Sequence, residues 1–360
     1  MNKAKLIQRC NALGSPRILF WILPALMILL VFGTISQKYI GLYQSLNIFF
    51  DSWLIWVEMP LFKLPLPGFY PIMSIFAVNL LFRFLFKSPW VWEKTGLHLT
   101  HFGALLLIIG GLFTAVTAQE HFLIIGEDEE TSYMSDYHKR VLVIFDKNQT
   151  QQTAIPFETL KKMQTITVKG LQIKILSHCD NCKISERTDD DEGYQGMAEF
   201  MVLSPQALDP ENEQNMAGLT LQINNQTYIA FEGMPQPIMI DEHQILLGKK
   251  QAQLPFTIYL KDFVKSNYAE TAMARAFHSD IIVKDQDLEW PTTISMNKPL
   301  RYKGYTLYQS SYVQNELGEQ TILHVVENKG RIFPYLSTLI MAVGLLLHLS
   351  LMLKQRRNST

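Results

Sequence analysis

The residues best suited to chemistry are histidines and cysteines, and they fall in two places. The stretch Ser177-His178-Cys179-Asp180-Asn181-Cys182 holds two of the three cysteines, two residues apart, with a histidine in front of them. Covalent haem attachment uses C-x-x-C-H, in which the histidine follows the pair, and here Lys183 follows instead. Three roles stay open: a loop-tightening disulfide between Cys179 and Cys182, a thiol-disulfide redox pair, or part of a metal site to which His178 adds a third ligand. A thioredoxin-type pair caps a helix N-terminus, and nothing after Cys182 reads as that helix, which favours the disulfide.

The second place is apolar sequence. His98 and His101 lie one helical turn apart in G-L-H-L-T-H-F-G, so they project from one face of a helix. His348 lies near the end of another apolar run, at a depth expected to match His101. Ionisable groups in a membrane span are costly and by default mark function. The available roles are haem or metal ligand, proton relay, or interhelical hydrogen bond; the plain alternative is a ring resting at headgroup level. Spacing alone does not choose between haem, copper and zinc. No G-x-S-x-G, Walker loop, H-E-x-x-H or dinucleotide fingerprint is present, so any chemistry uses a bound cofactor or a partner's groups.

The elements that must position these residues follow from hydropathy. The chain of 360 residues is 48% hydrophobic with a formal net charge of -1, and its apolar residues crowd into the first third and the last thirty residues. Four spans are expected, at 18–36, 69–86, 99–118 and 333–353, each close to the roughly 20 residues that cross about 30 Å of hydrocarbon. Asn79 and Arg83 make the second the weakest. Lys3, Lys5, Arg9 and Arg17 precede the first span, Arg83, Lys87 and Lys94 surround the second connection, and Lys354, Arg356 and Arg357 follow the fourth. The positive-inside rule then puts both termini in the cytoplasm. A near-neutral balance without a basic stripe excludes nucleic acid as a partner.

The expected organisation is a cytoplasmic N-terminus (1–17), three spans (18–118) with an outer loop at 37–68, an outer domain (119–331), a fourth span (332–353) and a cytoplasmic tail (354–360). Within the outer loop, Ser45 to Trp56 suits a helix lying in the membrane interface, stopped by Pro60, Pro65 and Pro67. The outer domain reads as β. Runs at 141–145, 164–176, 198–203, 219–231, 256–263, 280–283, 305–312 and 321–326 are rich in Val, Ile, Thr and aromatics, with Asn224-Asn225 as a hairpin turn. The fold class is an α-helical membrane protein with four transmembrane helices and one mainly antiparallel β extracytoplasmic domain, packed as a sandwich or open barrel. The acidic runs Glu127 to Glu130 and Asp189 to Glu192 lack the spaced pattern of a calcium loop and are expected to be solvated.

Several stretches together resemble the ResB-like family of cytochrome c biogenesis proteins, the CcsB half of the bacterial and plastid cytochrome c synthase. They are G-T-I-S-Q-K-Y-I-G-L-Y-Q-S-L-N-I-F-F-D-S-W from Gly33, L-P-L-P-G with A-V-N-L-L from Ala77, and H-F-G-A-L-L-L-I-I-G-G from His101. The most specific are L-P-F-T-I-Y-L-K-D-F from Leu254, F-H-S-D-I-I-V from Phe277 and I-S-M-N-K-P-L-R-Y-K-G-Y-T-L-Y-Q-S-S-Y from Ile294. The resemblance implies a multi-pass protein of the bacterial cytoplasmic (inner) membrane with a periplasmic domain. With a CcsA-type partner it would convey haem outward for attachment to C-x-x-C-H of apocytochrome c, with thiol-reducing factors as further partners. It also implies haem b as the transported substrate, held by one histidine from each subunit; His101 matches that position best, with His98 and His348 as alternatives. The six tryptophans are scattered rather than gathered into a haem-handling motif, so the chain is expected to be a subunit of a haem lyase without catalysis of its own. Two other classes compete: a membrane-tethered scaffold that binds no cofactor, and a periplasmic thiol-disulfide protein using Cys179 and Cys182.

Overall fold

The computed structural model describes residues 3–60, 62–87, 89–146, 152–188, 193–234, 236–271, 273–315 and 318–359; the acidic run Asp189 to Glu192 lies outside them. The chain divides into a helical unit, Met1–Ala118 with Asn328–Thr360, and a β unit, Gln119–Glu327.

In the helical unit α1 (Lys3–Leu13) meets α2 (Pro16–Ser45) at a corner where Ser15 Oγ accepts from Arg17 N at 3.4 Å and Pro16 takes the first helical position. Both are ordinary start signals, since proline there removes only an N–H that has no helical partner. The corner also explains a polar residue in the next helix, α3 (Phe69–Phe82). Asn79 is buried and its Nδ2 donates to Leu13 O at 2.6 Å and Ser15 O at 3.0 Å, so it serves carbonyls left open where α1 ends. Then follow α4 (Thr95–Thr117) and the C-terminal helix Ile332–Ser359. Among the described residues four helices are long and apolar enough to cross a membrane.

The helix expected over Ser45 to Trp56 is present only in its first half: helical backbone continues through Leu46–Phe50, and from Leu54 the chain is strand. α2 runs on to Ser45, but Gly41 breaks it with φ 78° and ψ 169°, a conformation that only glycine adopts cheaply. The chain bends back far enough that a Cβ on Gly33 would lie 2.7 Å from the Phe50 ring, and Ser36 Oγ donates to Ser45 Oγ at 2.8 Å across the bend. Beyond it, Leu54–Glu58 pairs with Lys63–Pro67 as an antiparallel hairpin. Ile55 and Val57 are β-branched, and Pro65 and Pro67 are tolerated because a two-stranded ribbon leaves edge positions that need no donor.

In the β unit a ten-stranded sheet runs in the order Leu288–Ser295, Ala274–Asp285, His243–Asn267, Glu130–Asp146, Gln119–Gly126, Gly318–Glu327, Tyr305–Asn315, Leu300–Tyr302. Ile238–Ile240 and Gln152–Pro156 pair alongside His243–Asn267 and Glu130–Asp146 respectively. Ile294, Ile281, Ile258, Leu323 and Leu307, drawn from strands along the whole path, share one buried cluster, and Ser295 bridges Lys298. The sheet is therefore curled round its own core as an open barrel. Inside it Ser279 Oγ donates to Gln309 Oε1 at 2.7 Å, and Gln309 Nε2 donates to Thr321 Oγ1 at 2.7 Å, so these buried polar groups satisfy one another.

The far halves of the two longest strands do something else. Leu142, Ile144, Ile245 and Leu247 face Ile173, Ile175, Leu219 and Leu221 of a four-stranded sheet, ordered Gln226–Phe231, Gly218–Ile223, Leu171–Cys179, Thr165–Val168. That part is a sandwich, each wholly buried Leu or Ile contributing about 2 kcal/mol. Sandwich and barrel are both present, built on shared strands. Two expected strands change form. The run 164–176 is a hairpin turning at Lys169 and Gly170, whose φ values are 49° and 84°. The run 198–203 opens as one helical turn, Met197–Phe200, before the strand Met201–Pro205, because Gly196 with φ 61° redirects the chain and its N–H donates to Glu199 Oε1 at 3.1 Å.

The acidic run 127–130 is exposed, as expected, and its carboxylates also hydrogen-bond to neighbouring strands and turns. Glu127 Oε1 accepts from Phe263 N at 2.9 Å, Asp128 Oδ1 from the Tyr259 hydroxyl at 2.8 Å, Glu129 Oε2 from Gly126 N at 2.8 Å, and Glu130 meets Lys284 Nζ at 2.6 Å.

Candidate functional site

α4 packs on the C-terminal helix through residues that have almost no side chain. A Cβ on Gly96 would collide with the backbone of His348 and Gly344; one on Gly103 would lie 2.6 Å from Met341 Cγ and 2.9 Å from Ser337 O; one on Gly110 would strike the Phe333 ring. Gly96, Thr100, Gly103 and Gly110 recur at three and four residues or their sum, so they form one stripe. Between helices in lipid, close backbone approach of this kind replaces the hydrophobic drive that water would supply.

That stripe fixes where the histidines point. His98 and His101 lie on the part of α4 turned away from the C-terminal helix, towards the end of α3. His98 is buried, and its Nε2–H donates to the Pro89 carbonyl at 3.1 Å. Its ring stacks on Trp90 at 4.4 Å and 11°, with the Phe84 ring edge-on at 5.9 Å. One face and one nitrogen are therefore committed, and Nδ1 is enclosed without a partner. His101 is half-buried; among the described residues its ring makes no hydrogen bond, Nδ1 is likewise enclosed without a partner, and Arg83 lies within electrostatic reach. An imidazole with a bare nitrogen against apolar walls can take a proton or ligate a metal, and the neighbouring guanidinium suits a carboxylate.

His348 is placed differently. Its backbone sits against Gly96, five residues before His101 on α4, or about 7.5 Å along the axis at 1.5 Å per residue. Because the two helices are antiparallel and each side chain leans towards the N-terminus of its own helix, that backbone offset does not separate the two rings in depth; the register aligns Gly344 with Thr100. The structure brings His98 and His101 to one face and sets His348 on another, with its own Nδ1 enclosed and unpartnered. Trp90 and Pro89 were not singled out from sequence; the signal available was a tryptophan and proline directly ahead of a histidine-bearing span.

In the β unit Cys179 and Cys182 are bonded to one another, with Cα atoms 5.6 Å apart, joining the end of Leu171–Cys179 to the start of Cys182–Glu186. Both are buried with Ala198, Leu203, Ile229 and Phe231. His178 projects from the opposite face of its strand, where its ring stacks on Phe157 at 4.2 Å and 22°. The strand geometry thus separates His178 from the sulfurs it would have to join in a metal site.

A family model described as the ResB-like family matches residues 91–332. That span includes α4 with His98 and His101 and the whole β unit, and ends before His348. Among curated proteins, Protein NrfI of Wolinella succinogenes is 31% identical over 118 residues, which is 32% of this chain and 13% of that protein, so the matched part spans far less than two thirds of the relative's length.

Proposed function

The chain belongs to the ResB-like family, and from that premise we propose that it works in cytochrome c biogenesis as the haem-handling subunit of a two-part synthase. With a CcsA-type partner in the bacterial cytoplasmic membrane, it passes haem outward for attachment to C-x-x-C-H of apocytochrome c, its termini inside and its β unit in the periplasm. The observation that carries this reading is His101, a half-buried imidazole on an apolar helix with no hydrogen-bond partner among the described residues.

Haem is the substrate here, and the residues present suit it. His101 supplies a neutral nitrogen, Phe84 and Phe102 supply apolar wall, and Arg83 can face a propionate. His98, fixed between Trp90, Phe84 and Pro89, holds that wall in shape. The second axial histidine comes from the partner. The bonded Cys179 and Cys182 tighten the β unit and take no part in electron transfer, and catalysis of the thioether bonds needs the assembled pair of subunits.

The test is to purify the chain with its partner in detergent and record the absorption spectrum. A Soret band is expected, lost in His101→Ala and retained in His348→Ala, with His98→Ala weakening it through loss of the Trp90 stack. A colourless complex that still matures cytochrome c would overturn the reading and leave a scaffold.

A further inference from the structure

The ribbon between α2 and α3 has one face built into the helices and another that is apolar and open. Ile55 and Val57 point inward and pack with Ile22 and Leu29 of α2 and Ile72 of α3. Side chains of a strand alternate, so Leu54, Trp56 and Glu58 face the other way, opposite Pro67, Pro65 and Lys63. All six are exposed, Trp56 at 59% and Leu54 at 51%, and exposed Met59 and Phe62 extend this surface towards the turn. Its two charges serve one another, Lys63 Nζ meeting Glu58 at 2.6 Å.

The two edges of the ribbon differ. Gly68 N donates to Trp53 O at 3.1 Å and Met59 N donates to Phe62 O at 2.9 Å, just beyond the two ends of the ladder. Bonded pairs alternate in an antiparallel ladder, so Ile55 with Leu66 and Val57 with Leu64 carry the bonds between, and the remaining residues turn their backbone groups outward. On Lys63–Pro67 two of those three residues are proline, with no N–H to leave unserved. On Leu54–Glu58 the N–H groups of Leu54, Trp56 and Glu58 are open, without a partner among the described residues. Hydrocarbon does not tolerate an open strand edge. The headgroup layer does, because phosphate and ester oxygens accept hydrogen bonds.

We propose that this ribbon docks on phospholipid: Leu54, Trp56, Pro65 and Pro67 lie among the upper acyl chains of the leaflet reached at the end of α2, and the open N–H edge turns to headgroup oxygens. Continuity favours lipid as the occupant. The ribbon joins two helices long and apolar enough to cross a membrane, and it shares a buried cluster with both. α2 itself exposes Met27, Ile28 and Val31, so a single apolar solvent accounts for helix and ribbon alike. Tryptophan is favoured where acyl chains meet headgroups, and Trp53 and Tyr70, with rings 5.9 Å apart, stand where the ribbon meets α3. Nothing in this inference depends on haem; it needs only that the helices cross a membrane.

The test puts a nitroxide spin label on Trp56→Cys in a Cys10→Ser background, where Cys179 and Cys182 are bonded and do not react. The labelled full chain is then reconstituted with its partner in phospholipid nanodiscs. Collisions with oxygen, which partitions into lipid, are compared with collisions with a nickel chelate, which stays in water. Labels on Ile28→Cys in α2 and Leu208→Cys in the β unit, both exposed positions, give the lipid and water references. The oxygen-to-nickel ratio at position 56 should exceed that at 208 several-fold and stay below that at 28, as a site just under the headgroups requires. Nickel access equal to that at 208 puts the ribbon in water, poor access to both reagents puts it under protein, and a ratio equal to that at 28 leaves the open N–H groups without acceptors; each result overturns the proposal. Pro65→Cys reports the same face if Trp56→Cys folds poorly. A benzophenone side chain at position 54 should acquire the mass of a phospholipid in cells; an adduct with the partner subunit or a second copy of this chain overturns the choice of occupant.

Discussion

In the β unit Leu142, Ile144, Ile173 and Leu219 are wholly enclosed, whereas in the helical unit Phe20, Trp21, Leu345 and Leu346 stand open and the contacts between α4 and the C-terminal helix are made at glycine. The same residue types therefore do opposite jobs. Water drives large side chains together in one region. Lipid gives them no reason to leave it, so the other region is assembled from backbone approach and buried hydrogen bonds such as those of Asn79.

The largest break in that contrast comes from adding a side chain where the helical unit has none. Gly96→Val would push α4 off the backbone of His348, costing about 3 kcal/mol or more. Chemical cross-linking between α4 and the C-terminal helix, from positions off the glycine stripe, should fall sharply in that background, while the urea midpoint of the β-sheet circular dichroism stays put. Next in size is Cys179→Ser with Cys182→Ser. Opening a loop this short removes about 2 kcal/mol from the β unit, seen as a lower urea midpoint with the helical unit unaffected.

The smallest effect is on pH. Burial, ahead of nearby charges, holds the His121 and His138 imidazoles below the usual histidine range. The unfolded chain therefore binds protons first, and stability falls as the pH drops below about 6.5 towards the depressed folded-state values, by at most about 1.4 kcal/mol per pH unit for each group. The urea midpoint should be flat between about pH 8 and 7 and decline below that, with a shallower decline in His121→Phe.

Local signals carried the sequence reading where chemistry is local. Asn224 and Asn225 do hold φ of 51° and 64°, which is why two asparagines between alternating runs could be read as a tight hairpin. A separation of three residues was enough to place His98 and His101 on one face. What the sequence did not disclose depends on distant partners. The bend at Gly41 is fixed by Phe50 meeting Gly33, and the Trp90 stack on His98 exists because the segment before α4 folds back on it. The level of His348 follows from glycine docking between helices far apart in sequence. Single-strand patterns also cannot say that one pair of long strands would serve both a barrel and a sandwich.

The glycine stripe of α4 has a consequence in time. The helix that covers it begins at Ile332, after the entire β unit Gln119–Glu327. At roughly 5–20 residues per second of synthesis, α4 waits on the order of ten to forty seconds with that face bare. During that interval any other helix with small residues at matching spacing could occupy it, so the order of translation makes late docking of the last helix a point at which a chaperone or a partner subunit could intervene.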